Sequence, residues 1–296
     1  MLVTGTSGHV GAVVGAHLLE RGHEVVGVSR RLNKSSRTVS RAISLDLSRV
    51  DAAATIAGAE ARCDAIVHAA AAIDSDPFAP ALTLTNGLGT QQLLALAARW
   101  GVESFVYLSG ITVIGRPKQT PITENHPVDP PSAYLASKLY GEHLLRATVG
   151  EQIAAMSLRL TAPVGPGMAG SRILPVFVRG ALVGRPLEIV GQGRRGQDYV
   201  DARDVAAAVE ASIERRARGV LNIGSGHCIT NLELAQLCVE VLRSDSEVQL
   251  SGAPDAEETV RWEVSITQAE RTLGYRPRHP IEDSIVAVAD TAGEGA

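Results

Sequence analysis

Short continuous apolar runs alternate along the chain with longer stretches whose apolar positions recur every three to four residues. The runs Leu2 to Thr4, Glu24 to Val28, Ala42 to Leu45, Ala65 to His68, Ser104 to Ser109 and Met156 to Leu160 predict strands. Between them, segments such as Gly87 to Trp100 carry an apolar stripe at Leu88, Leu93, Leu94, Leu96 and Ala97 and stop at Gly101, which predicts helices. Alternation of this kind gives βαβ units and a parallel sheet. Such a sheet is covered on both faces, which is why its strands read as unbroken apolar runs. After Leu160 the rhythm loosens into Pro163, Gly165, Pro166, Gly167, Gly170 and Pro175, so a second lobe is expected there. The cut is not clean, because Asp204 to Arg215 reads as a helix and Val220 to Ile223 as another buried strand.

Composition narrows the class. With 296 residues the chain holds one large domain, or one and a smaller lobe, and 45% hydrophobic residues exclude a disordered chain. The formal charge is −4 and aromatic residues make up only 3%. That balance lacks both the basic surface a phosphate backbone requires and the rings on which bases stack, so nucleic acid is not an expected partner. No apolar run is long enough for a spanning helix, so no membrane is expected, and the amino terminus has no basic flank of a signal peptide. Cys63, Cys228 and Cys238 form no Cys-x-x-Cys pair and cannot all be bridged with one another. A reduced, cytoplasmic protein without a metal site is expected.

The strongest local signal is Thr4-Gly5-Thr6-Ser7-Gly8-His9-Val10-Gly11, between the first strand and a helix predicted to run to about Arg21. Glycines there allow a tight turn, bring backbone N–H groups against a pyrophosphate and let the helix pack closely on the strand. The helix amino terminus favours the negative charge. Gly5, Ser7, Gly8, His9, Val10 and Gly11 are the candidate cofactor contacts of this turn. A turn serving tight packing alone is the competing reading, and the order strand, turn, helix weighs against it. The first strand begins almost at Met1, so a few residues are expected upstream of it.

The end of the second strand bears on which nucleotide binds. A carboxylate at this place receives a ribose 2′-hydroxyl and repels a 2′-phosphate. The chain reads Val26-Gly27-Val28-Ser29-Arg30-Arg31, a small hydroxyl followed by two guanidiniums. Ser29 can donate to a phosphate and Arg30 and Arg31 can grip it, so NADP(H) is expected over NAD(H). The competing reading is a solvated basic loop, since Lys34 and Arg37 follow. Asp46 and Leu47, just past the third strand, are placed to meet an adenine, although an Asp there is also a routine helix cap.

Tyr134-Leu135-Ala136-Ser137-Lys138 puts a phenol and an ammonium at i and i+4 on one helix face. A neighbouring cation favours the phenolate and lowers the phenol pKa, which suits proton exchange with a carbonyl or hydroxyl oxygen. Taken alone the spacing is common by chance. With Thr4-Gly5-x-x-Gly8-x-x-Gly11, Asp46-Leu47, His68-Ala69-Ala70-Ala71, Asn86 and Ser109, it stands in the order seen in the extended short-chain dehydrogenase/reductases. The chain resembles their NAD-dependent epimerase/dehydratase branch. The likeness continues through Leu158-Arg159, Gly165-Pro166-Gly167, Gln197-Asp198-Tyr199-Val200, Asp204-Val205-Ala206, Asn222-Ile223-Gly224 and Leu273-Gly274-Tyr275, essentially the whole chain.

The resemblance implies an α/β fold: a doubly wound Rossmann sheet of seven parallel strands with a small carboxy-terminal substrate lobe. Residues 1–160 would be the dinucleotide-binding domain and 161–296 mainly the substrate lobe, with about 196–223 returning to the Rossmann sheet. It also implies that Gly5, Gly8 and Gly11 hold the pyrophosphate and that Ala69, Ala70 and Ala71 line the cofactor. Asn86 belongs to the same cofactor set, Pro163 and Val164 would border the nicotinamide, and Tyr134 and Lys138 would do the proton work. Substrates in this branch are often nucleotide sugars. A homodimer would form through helices at about 87–99 and 133–147, although Leu139 and Leu144 of their apolar stripe could equally be internal core.

Three departures matter. Family members usually place two hydroxyl residues after the fifth strand, and here the second position is Gly110. Were the segment extended, Thr112 would share a face with Gly110, making it a stand-in; Ser109 is the other candidate. Ala162 stands where an Asn often meets a sugar diphosphate, and Gln197 stands where the family has Arg. Arg194 and Arg195 lie close by and could supply the phosphate charge, or the substrate carries no diphosphate. The leading expectation is an NADPH-dependent ketoreductase acting on a carbonyl, first of all of a nucleotide-linked keto-deoxysugar, because dissociable NADPH suits one-way reduction. The alternatives are a nucleotide-sugar epimerase with a recycled cofactor and a non-catalytic NADP-binding sensor or partner protein. A dehydratase usually needs further acid and base groups after the catalytic hydroxyl, and Ile111 and Thr112 offer no carboxylate.

Overall fold

The apolar runs become the strands of one parallel sheet. In the computed structural model, which describes residues 1–31, 38–60, 62–168 and 170–293, these are β1 (Leu2–Thr4), β2 (Val26–Ser29), β3 (Arg41–Ser44), β4 (Ala65–His68), β5 (Ser104–Gly110), β6 (Ala154–Leu160) and β10 (Gly219–Ile223). Their spatial order is β10-β6-β5-β4-β1-β2-β3, seven strands paired in parallel among the described residues. Strands β1, β2 and β4 are buried at every position, as a sheet covered on both faces requires. β3 lies at the edge and is exposed at Arg41 and Ser44. Lys34 and Arg37 of the basic loop lie outside the described residues.

Helices α1 (His9–Glu20), α2 (Ala52–Ala59), α3 (Gly89–Trp100) and α4 (Ala133–Thr148) connect the strands. The helix expected from Gly87 begins earlier, as a π-helical stretch over Leu82–Leu88 that runs into α3. Arg159 of β6 and Glu142 of α4 form a buried ion pair with contacts of 2.8 to 3.3 Å, which fixes α4 against the sheet. Leu139 packs against the cluster of Ile111, Ile122 and Trp262, and Leu144 against the cluster of Phe105 and Tyr107, so both leucines serve internal packing.

A second, smaller sheet holds β7 (Ala162–Val164), β9 (Gly196–Asp201) and β11 (Cys228–Thr230), in the order β11-β9-β7. Helices α5 (Ile173–Leu182), α7 (Asn231–Val241) and α8 (Ile281–Gly293) cover it, with Leu174, Phe177, Leu234 and Ile285 in one core cluster with Tyr199 of β9. A parallel pair, β8 (Leu187–Ile189) with β12 (Val248–Leu250), lies beside α5 and α7. Of the stretch from about 196 to 223, α6 (Ala202–Glu214) and β10 lie on the large sheet, α6 against α1, whereas β9 belongs to the small one. No helix among the described residues is long and apolar enough to cross a membrane.

Candidate active site

At the carboxyl end of β1 the chain turns through Gly5, whose φ is +77°, a conformation that L side chains rarely adopt. A Cβ there would also lie 2.7 Å from the Ala70 nitrogen. A Cβ at Gly11 would collide with the Gly5 carbonyl, so glycine at both positions lets α1 start directly against the turn. Beside the turn lies a cavity of about 160 Å³, lined by Gly5, Ser7 and Gly8, by Val28, Ser29 and Arg30, by Leu45, Asp46 and Leu47, by Ala69 to Ala72, and by Thr85. Three strand ends and the glycine turn thus converge at the point where ligands enter a doubly wound sheet. A backbone cradle that only glycine permits, beside a cavity reaching the ends of β2 and β3, fits a dinucleotide.

His9 and Val10 open α1 and are not part of that lining. The His9 Nε2 is buried without a partner among the described residues, and burial lowers the imidazole to about 4, against the opposing charge of Asp201. At the end of β2 the Ser29 hydroxyl donates to the Arg31 carbonyl at 2.9 Å. The Ser29 proton thus goes to a backbone carbonyl in this structure, and the cationic reach into the cavity comes from Arg30. Arg31 is exposed and outside the lining. Asp46 accepts the Ser48 N–H at 2.9 Å, a bond that holds its carboxyl below the usual range with help from the Arg30 charge.

Asn86 is not an open cofactor contact. Its amide takes the Ala72 N–H at 2.7 Å and returns a proton to the Ala72 carbonyl at 2.9 Å, and it also donates to Ser137 Oγ at 2.8 Å. Ser137 in turn donates to the Tyr134 carbonyl at 2.6 Å. The site is thus braced by Asn86 across three elements, a role legible only once residues 72, 86 and 137 are in contact.

Tyr134 sits in the first turn of α4, which Ser132 caps by accepting the Leu135 N–H at 3.3 Å, and Lys138 follows one turn on. Burial pushes the Tyr134 phenol above its ordinary value, and the charge that works the other way is that of Arg172 at the start of α5. The expected depression by Lys138 is not what the structure gives. The Lys138 ammonium lies 4.3 Å from the centre of the Tyr107 ring, and burial lowers it to about 8 while Glu142 pulls it back up. Past β5 the chain is not extended: Ile111–Ile114 form a 3₁₀ turn. The premise for Thr112 is corrected, yet the turn itself brings Thr112 Oγ1 within 3.6 Å of where a Cβ on Gly110 would stand. Ser109 Oγ is buried and has no partner among the described residues.

Pro163 and Val164 lie on β7, opposite Val200 and Asp201. Arg195 is already paired with Glu257 at 2.6 Å, the Arg194 side chain is exposed, and Gln197 Nε2 donates to the Asp198 carbonyl at 3.3 Å. Arg172, which sequence reading missed, has no ion-pair partner among the described residues, and no local pattern marks its approach to Tyr134. No cluster of three or more His, Cys, Asp or Glu placed to hold a metal ion occurs among the described residues.

A Rossmann sheet, a glycine turn and a Tyr-x-x-x-Lys helix define an NAD(P)-dependent enzyme of the extended short-chain dehydrogenase/reductase type. The model of the NAD-dependent epimerase/dehydratase family matches residues 1–224, and the chain belongs to that family. A dTDP-glucose 4,6-dehydratase of Streptomyces griseus is 31% identical over 230 residues, covering 76% of this chain and 70% of that protein. A dTDP-6-deoxy-L-talose 4-dehydrogenase (NAD(P)(+)) of Kitasatospora kifunensis is 29% identical over 298 residues, covering 96% and 92%. The solved structure of a Thermotoga maritima UDP-glucose 4-epimerase with UDP-glucose shares the fold, with a TM-score of 0.87 at 23% identity over 99% of this chain and 98% of that one.

Proposed function

We propose that the protein is an NADPH-dependent ketoreductase whose substrate is a nucleotide-linked keto-deoxysugar. The observation that carries the reading is the acid-free end of β2, where Ser29 and Arg30 wall the cavity at the place a carboxylate would select NAD. Reading Arg30 as the 2′-phosphate partner fits a nucleotide that binds, reacts and leaves. The Kitasatospora relative, a dehydrogenase named for a dTDP-6-deoxysugar, supports the substrate class. The lack of a carboxylate at Ile111 and Thr112 counts against a dehydratase.

Bound in the cleft, the reduced nicotinamide supplies a hydride to the carbonyl carbon. Tyr134 then gives its proton to the oxygen as negative charge develops there, and its raised pKa keeps the phenol protonated until that moment. Arg172 favours the phenolate left behind. Among the described residues no acceptor takes the Lys138 ammonium protons, which leaves them for the ribose hydroxyls. Thr112 Oγ1, standing beside Gly110, donates to the same substrate oxygen, and Ser109 is the reserve donor. Gly5, Gly8 and Gly11 hold the pyrophosphate, and Pro163 and Val164 border the nicotinamide. A homodimer through α3 and α4, together with the π-helical stretch that runs into α3, would cover Leu84 and Tyr140, which are 39% and 49% exposed.

Calorimetry of NADPH against NADH tests the cofactor side. NADPH is expected to bind about tenfold tighter or better, and Ser29→Asp, which places a carboxylate against the 2′-phosphate, is expected to reverse the order. An unchanged ratio in the variant would remove the assignment at β2.

A further inference from the structure

We propose that His68 is a positioning residue that couples the wall of the nucleotide cavity to the catalytic helix α4. This rests on reading Ala69 to Ala72 as the cofactor wall and Tyr134 as the proton donor. His68 closes β4, is fully buried, and is not among the residues that line the cavity. Its importance lies in the direction of the protons around it.

Thr90 Oγ1 is 2.6 Å from the Asn86 carbonyl, which can only accept, so the Thr90 proton goes there. The same oxygen lies 2.9 Å from His68 Nε2 and must accept from it. His68 Nε2 therefore carries the ring proton, and Nδ1 accepts from Thr4 Oγ1 at 2.8 Å. Thr4 Oγ1, its proton committed, accepts the Ala70 N–H at 3.1 Å. One tautomer satisfies every group: Ala70 to Thr4, Thr4 to His68, His68 to Thr90, and Thr90 to the Asn86 carbonyl. Burial, with the Lys138 charge acting the same way, lowers the imidazole to about 3 and keeps it neutral.

From Asn86 the network runs on in both directions. The side chain clasps Ala72 and reaches Ser137, which holds the Tyr134 carbonyl. Two residues of the cavity wall, Ala70 and Ala72, are thus tied to the helix turn that carries the phenol. A second route is packing: the His68 ring lies 5.5 Å from that of Tyr107, over which the Lys138 ammonium sits at 4.3 Å. Networks of this kind behave as units, since each bond orients the next. A nucleotide pressing on Ala70 is therefore felt at Asn86 and the α4 turn through His68, beside the direct tie of Ala72 to Asn86.

The test reads nuclear resonances of the whole enzyme, His68 by ¹⁵N and Tyr134 by ¹³Cζ, with and without NADPH. The ring is expected to show the Nε2–H tautomer, neutral across about pH 5 to 9, and to shift when NADPH binds although it is fully buried. Thr90→Val, which removes the acceptor of His68, is expected to weaken NADPH binding about tenfold and to reduce the Tyr134 response, with Thr90→Ser restoring both and an unchanged response counting against the coupling through His68. A purely structural histidine would change only the melting temperature. An Nδ1–H or charged ring, or ring signals unmoved by NADPH that calorimetry shows to be bound, overturns the inference and leaves the cofactor reading standing. Should Thr90→Val not fold, the wild-type tautomer and its response still decide. If neither NADPH nor NADH binds, the function fails and this inference with it.

Discussion

A phenol that must release its proton inside a protein needs a positive charge nearby, and a buried positive charge costs stability. Here the charge that favours the Tyr134 phenolate is that of Arg172, and the buried cation is Lys138. Tyr134→Phe removes the proton and nothing else, so turnover of a reducible carbonyl is expected to fall by at least ~100-fold with NADPH affinity nearly intact; retained turnover would dismiss the proton-transfer role. Lys138 carries the cost. Burial lowers its ammonium from the ordinary 10.5 to about 8, so between those values the unfolded chain binds more protons and stability rises with pH. Below about 8 the folded protein holds a desolvated charge, a net penalty of roughly 3 kcal/mol. Lys138→Met is therefore expected to melt higher at about pH 7, to lose that advantage toward about pH 10.5, and to lose activity, with thermal denaturation at the two pH values as the check. A lower melting temperature at neutral pH would contradict it. The i, i+4 spacing showed both residues in the sequence. Their charges were not legible there, because Tyr107, Glu142 and Arg172 come from β5, from one turn further along α4 and from the start of α5.

At the scale of elements, the decisive segment is the turn after β5. Period-two reasoning treats Gly110 to Thr112 as strand, while the chain winds into a 3₁₀ turn, and that turn is what carries the Thr112 hydroxyl toward Gly110. If Thr112 replaces the missing hydroxyl, Thr112→Val should cost about tenfold to a thousandfold in turnover, and adding Gly110→Ser should restore much of it. Steady-state turnover of the single and double variants decides, and an unaffected Thr112→Val passes the role to Ser109. The strands were legible because burial on both faces leaves an unbroken apolar run. The π-helical start before α3 was not, since nothing local distinguishes it from α-helix, yet it sets Asn86 against both Ala72 and Ser137. Long-range contacts of that kind also explain why Thr4, Thr90 and Ser137 attracted no notice as single residues.

Over the whole molecule, the large sheet carries the glycine turn, the β2 end and α4, while Pro163 and Val164 lie on the small sheet and Arg172 at the start of α5. The near-neutral total charge conceals this arrangement, since Arg30 lines the cavity and Arg195 is already held by Glu257. The fold is shared by relatives named as dehydrogenase, dehydratase and epimerase, so it does not separate reduction from epimerisation; the fate of the hydride does. The most direct measurement gives the purified enzyme NADPH deuterated at the transferring position together with a dTDP-linked 4-keto-6-deoxyhexose. A ketoreductase will oxidise one NADPH per sugar and place the deuterium on the new carbinol carbon. Sugar interconverted by a tightly held nucleotide, with no added NADPH consumed and no deuterium gained, would contradict the assignment and make the protein an epimerase.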